Sequence, residues 1–137
     1  MAEEIAATRR NERFLPGVDL PAGVVGTSDA RLALDGAEMV AVALPSQRVR
    51  GIVAPFASLV SRDSIVISLM KGIERGSHER MSQVLGEVWD VEPERRVVVS
   101  GPNLAKEIAA KQPTATVIAS VAEATACLLY TSDAADE

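Results

Sequence analysis

Four apolar runs divide most of the chain and predict the strands of a single sheet. They read MVAVALP at 39–45, SIVISLM at 64–70, RVVVSGP at 96–102 and TATVIAS at 114–120. The first run is apolar without alternation and the second is nearly so, which is typical of strands that are buried on both faces. We therefore expect a sheet whose two faces are both covered.

The segments between these runs carry apolar side chains at helical spacing. One stripe comprises Val49, Ile52, Val53, Phe56 and Val60, and another comprises Met81, Val84, Leu85, Val88 and Trp89. Positions three and four apart share one face of a helix, so each stripe predicts an amphipathic helix that packs on the core. A third helix is predicted at 103–111 and the start of a fourth at 121–127. The alternation predicts an α/β fold with right-handed crossovers, a parallel sheet and helices on both faces.

The amino-terminal part is less regular. Residues 2–13 predict a helix, because acidic side chains come early and basic ones late, as the helix dipole favours. Proline and glycine predict a loop at 14–23, since both residues interrupt regular elements. Two short elements are predicted next: a weak strand at 23–28, and a helix through Leu34 that Ser28 or Asp29 caps.

Composition and charge narrow the class of protein. The 137 residues are within the usual range of one domain, and 47% of them are hydrophobic, which is enough for a core. The net charge is −5 and the 14 basic residues are scattered, whereas a nucleic-acid surface needs a concentrated basic face. We therefore expect no nucleic-acid partner.

Cysteine usage and hydropathy indicate the compartment. The single cysteine, Cys127, cannot form an intrachain disulfide and belongs to no metal-ligand cluster, which favours a reducing compartment and no bound metal. No apolar run approaches the roughly 20 residues that span a bilayer, and the acidic start MAEEIAATRR is unlike a signal peptide. A cytoplasmic protein without a transmembrane segment is expected.

The end of the chain departs from the pattern. The sequence CLLYTSDAADE at 127–137 abandons the alternation of strand and helix and ends in small and acidic residues. It resembles the translation of a sequencing adaptor, and an ordinary acidic terminus is the alternative interpretation. We predict a partial domain over 1–126, followed by a non-native tail.

The residues at the strand ends are the candidates for chemistry, because ligands of open parallel sheets bind outside the carboxyl ends of the strands. After the first buried strand, Pro45 ends the ladder and Ser46 is placed to cap a helix whose amides suit phosphate or ribose oxygens. After the second, Lys71 offers a cation to a phosphate or a carbonyl oxygen, and Gly72 lets a ligand approach the backbone. An ordinary strand exit and a solvated lysine are the alternatives.

The third junction reads SGPNLAKE at 100–107. Gly101 and Pro102 predict a sharp exit from the strand, Asn103 can cap the next helix while it keeps a polar group toward the crevice, and Ala105 keeps the first turn thin. A well-capped helix start that binds no ligand is the alternative interpretation here.

Taken together, the junctions resemble one enzyme family. The segments RRNERFLPGVDLP, VALPS, SLMKGIE, SGPNLAKEIA and PTATVIAS, in this order, are similar to bacterial NAD(P)-dependent glycerol-3-phosphate dehydrogenase, and the resemblance extends over residues 2–120. Its most specific element is the lysine–glycine pair combined with SGPNLAKE at this spacing. The resemblance implies a Rossmann-like doubly wound sheet and NAD or NADP as the cofactor. It also implies reduction of dihydroxyacetone phosphate to sn-glycerol 3-phosphate, a precursor of phospholipids.

The resemblance implies roles for single residues. Lys71 matches the lysine that contacts both the nicotinamide cofactor and the substrate. Gly101 and Asn103 match positions that line the substrate site, although the family more often has serine or threonine in place of the asparagine. An amide also donates and accepts hydrogen bonds, so this departure is mild. Ala105 matches a position that lies against the cofactor.

The resemblance also implies that the cofactor-binding part is incomplete. Pro45 and Ser46 match a segment that passes near the dinucleotide, but the sequence contains no G-x-G-x-x-G, which the family places before the point corresponding to Met1. The expected sheet therefore lacks its first βα unit and the pyrophosphate-binding helix terminus. The family's proton-donating lysine falls beyond residue 120, so no catalytic residue is assigned. We expect a fragment that is inactive alone and that can form a homodimer when full length.

Two other interpretations stay open. Another NAD(P)-dependent dehydrogenase, acting on a hydroxy acid or a sugar nucleotide, would need different residues at the third junction. A non-catalytic α/β binding domain would share the alternation of strands and helices without a hydride site. The flanking DNA distinguishes them, since an upstream G-x-G-x-x-G unit and a downstream helical domain would accompany the proposed enzyme.

Overall fold

The computed structural model of the protein describes residues 1–134, with side-chain surroundings described as far as Tyr130. These residues form two compact units. The hairpin unit comprises Met1–Ala33 and Pro102–Ala115, and the sheet unit comprises Leu34–Gly101 and the chain from Thr116 onward.

Short elements make up the hairpin unit. The helix α1 is followed by two antiparallel strands, β1 and β2, and by the helix α2, which span Ala2–Thr8, Arg10–Asn11, Leu15–Asp19 and Ala30–Leu34. Asp29 caps α2, since its Oδ1 accepts the backbone N–H groups of Arg31 at 2.9 Å and Leu32 at 3.3 Å. The prediction of a short capped helix is confirmed.

The predicted helix at 2–13 is longer than the observed one, and part of the predicted loop is a strand. α1 ends where Arg9 adopts the left-handed backbone conformation at φ 53°. Beyond it, Nε of Arg10 lies 2.6 Å from Oδ1 of Asp19, so Arg10, which was expected to belong to the helix, joins the β1–β2 ladder instead. The weak strand predicted at 23–28 does not form.

A four-stranded sheet organises the sheet unit. Its strands β3, β4, β5 and β6 span Met39–Val42, Ile65–Ser68, Arg96–Ser100 and Val117–Ala119, and they lie side by side in that order. β3, β4 and β5 are parallel, as predicted. β6 is antiparallel to β5, so the prediction of a parallel arrangement is wrong for the fourth strand.

The connection between β5 and β6, residues 101–116, brings the chain back to the end of β5 that it left. A parallel strand needs a crossover that carries the chain back to the opposite end of the sheet. The helix of this connection, α5, spans only Ala105–Ala109, and a helix of this length advances the chain by about 7.5 Å. Ser100 pairs with Val117, so the chain returns at the same end of β5 that it left. β6 therefore runs back along β5.

The remaining helices of the sheet unit are α3, α4 and α6, which span Val49–Val53, Met81–Trp89 and Glu123–Ala134. The single helix predicted over 49–60 is interrupted. α3 gives way to a 3₁₀ helix at Ala54–Leu59, because Pro55 has no N–H with which to bond the preceding turn. Val49, Val53 and Val60 of the predicted stripe are nevertheless buried in the core cluster.

Two apolar clusters cover opposite faces of the sheet. Successive residues of a strand point to opposite faces. Val66 packs against α3 and α4, whereas its neighbour Ile67 packs with Val97 and with Leu129 of α6. Burying a Val or Leu side chain fully contributes roughly 1.5–3 kcal/mol. Helices on both faces are confirmed, as is Trp89 as a core residue, whose indole N–H donates to the last carbonyl of α3 at 3.0 Å.

α6 continues through most of the segment that was predicted to be a non-native tail. It begins at Glu123 and ends at Ala134, and Leu129 within it is buried. Residues 135–137 of that segment lie outside the described residues. Since the packing of a helix does not reveal the origin of its sequence, the division after residue 126 stays a prediction. Of the helices in the described part of the chain, none is long and apolar enough to cross a membrane.

Candidate functional site

The carboxyl ends of β3, β4 and β5 lie at one edge of the sheet, because these three strands are parallel. From these ends the chain continues through Pro45, Lys71 and Gly101. The backbone N–H of Leu69 donates to the carbonyl of Val42 at 3.0 Å, which extends the β3–β4 ladder beyond the end of β4. The junctions after the strands therefore begin side by side.

Lys71 lies beside Gly101. Its ammonium Nζ donates to the carbonyl oxygen of Gly101 at 3.4 Å, a long hydrogen bond between the junctions that follow β4 and β5. Both junctions bend at a glycine, since Gly72 has φ 98° and Gly101 has φ 146°, a region that residues with a Cβ rarely adopt. A cation and two backbone turns without Cβ atoms thus meet at one point of the sheet edge.

The first junction lies next to the second. A Cβ atom built on Gly72 would stand 3.8 Å from the hydroxyl Oγ of Ser46. The prediction that Ser46 caps a helix is wrong, because a 3₁₀ helix begins at Ser46 itself and Pro45, which has no side-chain acceptor, occupies the cap position. The Ser46 hydroxyl accepts a hydrogen bond from Nε2 of Gln47 at 3.4 Å instead.

A cleft of about 550 Å³ opens between the strand ends and the start of α4. Its wall carries two cationic side chains, Lys71 and Arg80, and the hydroxyl groups of Ser68, Ser82 and Ser100. Cations hold anionic groups through charge-assisted hydrogen bonds, and hydroxyl groups both donate and accept. The cleft can therefore accommodate a small anionic ligand that carries oxygen atoms.

Gln47, which was not among the predicted site residues, joins the first two junctions. Its side-chain Nε2 donates to the carbonyl of Ile73 at 2.7 Å, and its Oε1 accepts the backbone N–H of Arg75 at 3.0 Å. The partners are distant in sequence, so no local pattern predicts the contact. The available signal was the position of Gln47 directly after the Pro45–Ser46 strand exit. Arg80 and Ser82 of the cleft were not predicted either.

An ion-pair cluster lies beside these junctions. Arg50 of α3 contacts Glu74 through Nη2 and Oε2 at 2.9 Å, Glu79 at 3.0 Å and Glu87 at 2.7 Å. Hydrogen bonds from Arg50, and then from Ser77, hold the pKa of Glu74 below its ordinary value of 4.5. The bonds to Glu74 and Glu87 raise the pKa of Arg50. The pair is therefore ionised at neutral pH.

Asn103 and Ala105 belong to the hairpin unit. The helix predicted at 103–111 is reduced to α5, with Leu104 at the cap position and no side-chain cap bond. The prediction that Asn103 caps this helix is therefore wrong, because the helix begins two residues later than expected. Asn103 is half-buried and Ala105 is exposed. Their assignment to the substrate and the cofactor stays a prediction.

His78 lies outside the cleft lining, in the turn before α4. Its backbone has φ 61°, and its N–H donates to the carbonyl of Glu74 at 3.0 Å. Within residues 1–134, no group of three His, Cys, Asp or Glu side chains is placed to hold a metal ion.

Known proteins are similar to this chain in sequence and in fold. Residues 1–126 match the family model described as NAD-dependent glycerol-3-phosphate dehydrogenase N-terminus. A glycerol-3-phosphate dehydrogenase (NAD(P)+) from Frankia casuarinae is 53% identical over 116 residues, which is 85% of this chain and 34% of the relative. A relative of the same name from Corynebacterium glutamicum is 47% identical, and the match covers 97% of this chain and 41% of that relative. The crystal structure of glycerol-3-phosphate dehydrogenase from Coxiella burnetii superposes with a TM-score of 0.81 at 26% identity over 97% of this chain and 38% of that one.

These matches confirm the resemblance and the Rossmann-like α/β fold that it implied. They also set aside the alternative of an unrelated binding domain, because the family model covers both the sheet and the junctions. The chain spans between a third and about two fifths of the length of the curated relatives that it matches. The chain belongs to the NAD-dependent glycerol-3-phosphate dehydrogenase N-terminal family.

Proposed function

We propose that this chain forms part of the cofactor-binding domain of a glycerol-3-phosphate dehydrogenase, which reduces dihydroxyacetone phosphate to sn-glycerol 3-phosphate with NADH or NADPH. The family of the chain and the names of its relatives support the reaction. The observation that carries the proposal is the 3.4 Å hydrogen bond from Nζ of Lys71 to the carbonyl of Gly101. This contact puts a cation at the carboxyl ends of two parallel strands, where ligands of such sheets bind.

The strand-end residues fit the nicotinamide end of the cofactor. The two glycines at positive φ leave the backbone open to a flat ring, and the hydroxyl of Ser46 faces one of them. We assign Pro45, Ser46 and Ala105 to the cofactor, and Lys71 to both the cofactor and the substrate. The bound nicotinamide supplies the hydride that the ketone carbon receives.

Lys71, Gly101 and Asn103 are assigned to the substrate. The ammonium group of Lys71 orients the carbonyl oxygen and stabilises the negative charge that develops on it during reduction. Gly101 and Asn103 offer main-chain and amide hydrogen bonds to the hydroxyl and phosphate groups. The proton that completes the alcohol comes in this proposal from the lysine that the family places beyond residue 120.

The proposal includes the setting of the enzyme. Its product is the backbone precursor of phospholipids, so we place the full-length enzyme in lipid synthesis. We also propose that it acts in the cytoplasm and forms a homodimer. We propose no role for nucleic acid, which is supported by the net charge of −5 and by basic residues that are scattered along the sequence.

A hybrid enzyme tests the proposal. Residues 1–126 of this chain replace the matching segment of the full-length Corynebacterium glutamicum relative, which is 47% identical. We expect the hybrid enzyme to oxidise NADH or NADPH only when dihydroxyacetone phosphate is present, and the chain of 137 residues to be inactive alone. Lys71→Ala in the hybrid enzyme should lower kcat/KM about a hundredfold or more, as the loss of a charge-stabilising donor does elsewhere.

Arg62→Ala is the matched control, because it also removes a cation. Arg62 pairs with Asp90, and its side chain is 79% exposed, so the substitution should leave kcat/KM unchanged. A folded hybrid enzyme that fails to reduce dihydroxyacetone phosphate, or one whose activity survives Lys71→Ala, would contradict the proposed function.

A further inference from the structure

The loop at 73–80, which follows the lysine–glycine pair, is closed on itself. Ile73 and Arg80 form an isolated antiparallel bridge. Inside this bridge, the backbone N–H of Glu74 donates to the carbonyl of Glu79 at 2.8 Å. The two ends of the loop are therefore held together, and a contact that fixes one part of the loop restrains the rest of it.

Gln47 attaches the beginning of this loop to the first junction. Its side-chain amide donates to the carbonyl of Ile73 at 2.7 Å and accepts the N–H of Arg75 at 3.0 Å. A primary amide can make both bonds at once, since it carries a donor and an acceptor. The main chain is thereby fixed on both sides of Glu74.

Arg50 attaches the same loop to α3. Its guanidinium contacts the carboxylate of Glu74 at two points, with Nε 3.0 Å from Oε1 and Nη2 2.9 Å from Oε2. Nη2 also donates to Glu79 at 3.0 Å. The Glu74 side chain is only 15% exposed. A planar guanidinium that meets a carboxylate in this way fixes its orientation as well as its distance.

Lys71 lies between two anchored points of the main chain. On one side, the N–H of Leu69 is bonded to β3 at 3.0 Å. On the other side, the carbonyl of Ile73 is held at 2.7 Å. Between Lys71 and this second point lies Gly72, at φ 98°, and glycine has the widest backbone freedom of all residues. The anchor beyond Gly72 therefore decides how far Lys71 can move.

We propose that Gln47 and Arg50 are positioning residues that hold Lys71 at the carbonyl of Gly101. Neither residue is assigned to the substrate or the cofactor, and both contact the loop that follows the lysine, so they act through Lys71. The inference rests on the proposed function, because it needs Lys71 to orient the substrate. A displacement of about 1 Å at such a group can cost two orders of magnitude in rate.

A double-mutant cycle in the hybrid enzyme tests this inference. Arg50→Ala and Gln47→Ala should each lower kcat/KM about tenfold or more through displacement of Lys71. Arg50→Lys should have a smaller effect, since lysine keeps the charge but not the planar fork. In a Lys71→Ala background, Arg50→Ala should have no further effect, because residues that act through one group are not additive. A residue with a structural role alone would lower kcat/KM by the same factor in both backgrounds.

The unfolding midpoint of each variant is measured beside its kinetics, and Arg62→Ala again serves as the control. If Arg50→Ala changes nothing, or costs the same factor with and without Lys71, the positioning role is overturned while the proposed function stands. If Lys71→Ala itself leaves kcat/KM unchanged, the function assigned to Lys71 is overturned and the positioning role with it. The two failures are therefore distinguishable.

Discussion

The sheet unit and the hairpin unit differ in what holds them together. Every buried residue of the described chain lies in the sheet unit, and among them Leu85 and Val97 are completely inaccessible. In the hairpin unit, even Phe14 and Val25 are 59% and 76% exposed. Burial of apolar surface is the dominant favourable contribution to folding. The hairpin unit has no fully buried residue, and its exposed ion pairs stabilise it little.

The difference in burial between the two units affects how firmly the candidate site residues are held. A group that binds or reacts must be held in place by its surroundings. Lys71 and Gly101 follow β4 and β5, whose side chains belong to the core, so burial fixes the strands from which these two residues extend. Asn103 and Ala105 lie in the unit that buries no residue of its own, so burial within that unit does not fix them.

The largest difference between the units should appear in the free energy of unfolding when Leu85 is replaced by alanine. Leu85 is 0% exposed in the cluster between the sheet and α4, and its truncation should cost about 2–5 kcal/mol of the free energy of unfolding, because it leaves a cavity. The fluorescence of Trp89, the single tryptophan, follows urea unfolding of the same cluster. Leu32→Ala is the matched control at 68% exposure in the hairpin unit, and it should cost less than about 0.5 kcal/mol. If both substitutions lower the free energy of unfolding equally, the two units do not differ in how burial stabilises them.

Backbone amide exchange should show the next largest effect. Val66 and Ile67 lie in β4, which is paired on both sides and covered on both faces, so their amides should exchange only when the sheet unit unfolds. The amides of α1 and α5 lie in short helices without buried residues and should exchange through local opening. After correction for intrinsic rates, exchange in β4 should be slower by about a hundredfold or more. Similar protection in both sets would mean that the hairpin unit has a source of stability other than burial.

The sequence predicted the sheet unit well because the signals there are local. The apolar runs became β3, β4 and β5, and Trp89 took its place on the predicted stripe. Burial on both faces is confirmed for β4, but it is wrong for β3, an edge strand in which exposed residues alternate with buried ones. The direction of β6 was not predictable in this way, since TATVIAS carries the same apolar pattern in either direction. Its direction follows from the end of β5 to which the connection returns the chain, and the helix in that connection, α5, is shorter than predicted.

The contacts of the candidate site also differ in how far local sequence signals predict them. The contact of Lys71 with Gly101 follows from parallel strands, because parallel strands bring their carboxyl ends to one edge. The contacts of Gln47 with Ile73 and of Arg50 with Glu74 join residues 26 and 24 positions apart, and no spacing rule connects them. Local reasoning therefore found the residues at the strand ends and missed the residues that hold the loop behind them.

The smallest effect concerns one carboxylate in each unit. Asp19 pairs with Arg10 in the hairpin unit and Glu74 pairs with Arg50 in the sheet unit, and in both cases the hydrogen bond from the arginine lowers the pKa of the carboxyl. A lowered pKa means that the folded state binds the proton less readily than the unfolded state. Each pair therefore stabilises its unit fully above the ordinary pKa, 3.8 for Asp19 and 4.5 for Glu74. The stabilisation is lost as the pH falls from there through the lowered value.

Salt should separate these two carboxylates. The side chain of Asp19 is 72% exposed and that of Glu74 is 15% exposed, and mobile ions screen an exposed pair more than a shielded one. An NMR titration of the carboxyl carbons at low salt and at about 0.5 M NaCl should show the pKa of Asp19 rising toward 3.8 while that of Glu74 stays low. Arg10→Gln and Arg50→Gln are the controls, since the first should raise the pKa of Asp19 but not that of Glu74, and the second that of Glu74 but not that of Asp19. If salt raises the pKa of Glu74 as far as that of Asp19, the sheet unit does not shield its ion pairs. The two units then differ in the burial of apolar side chains but not in the shielding of charges.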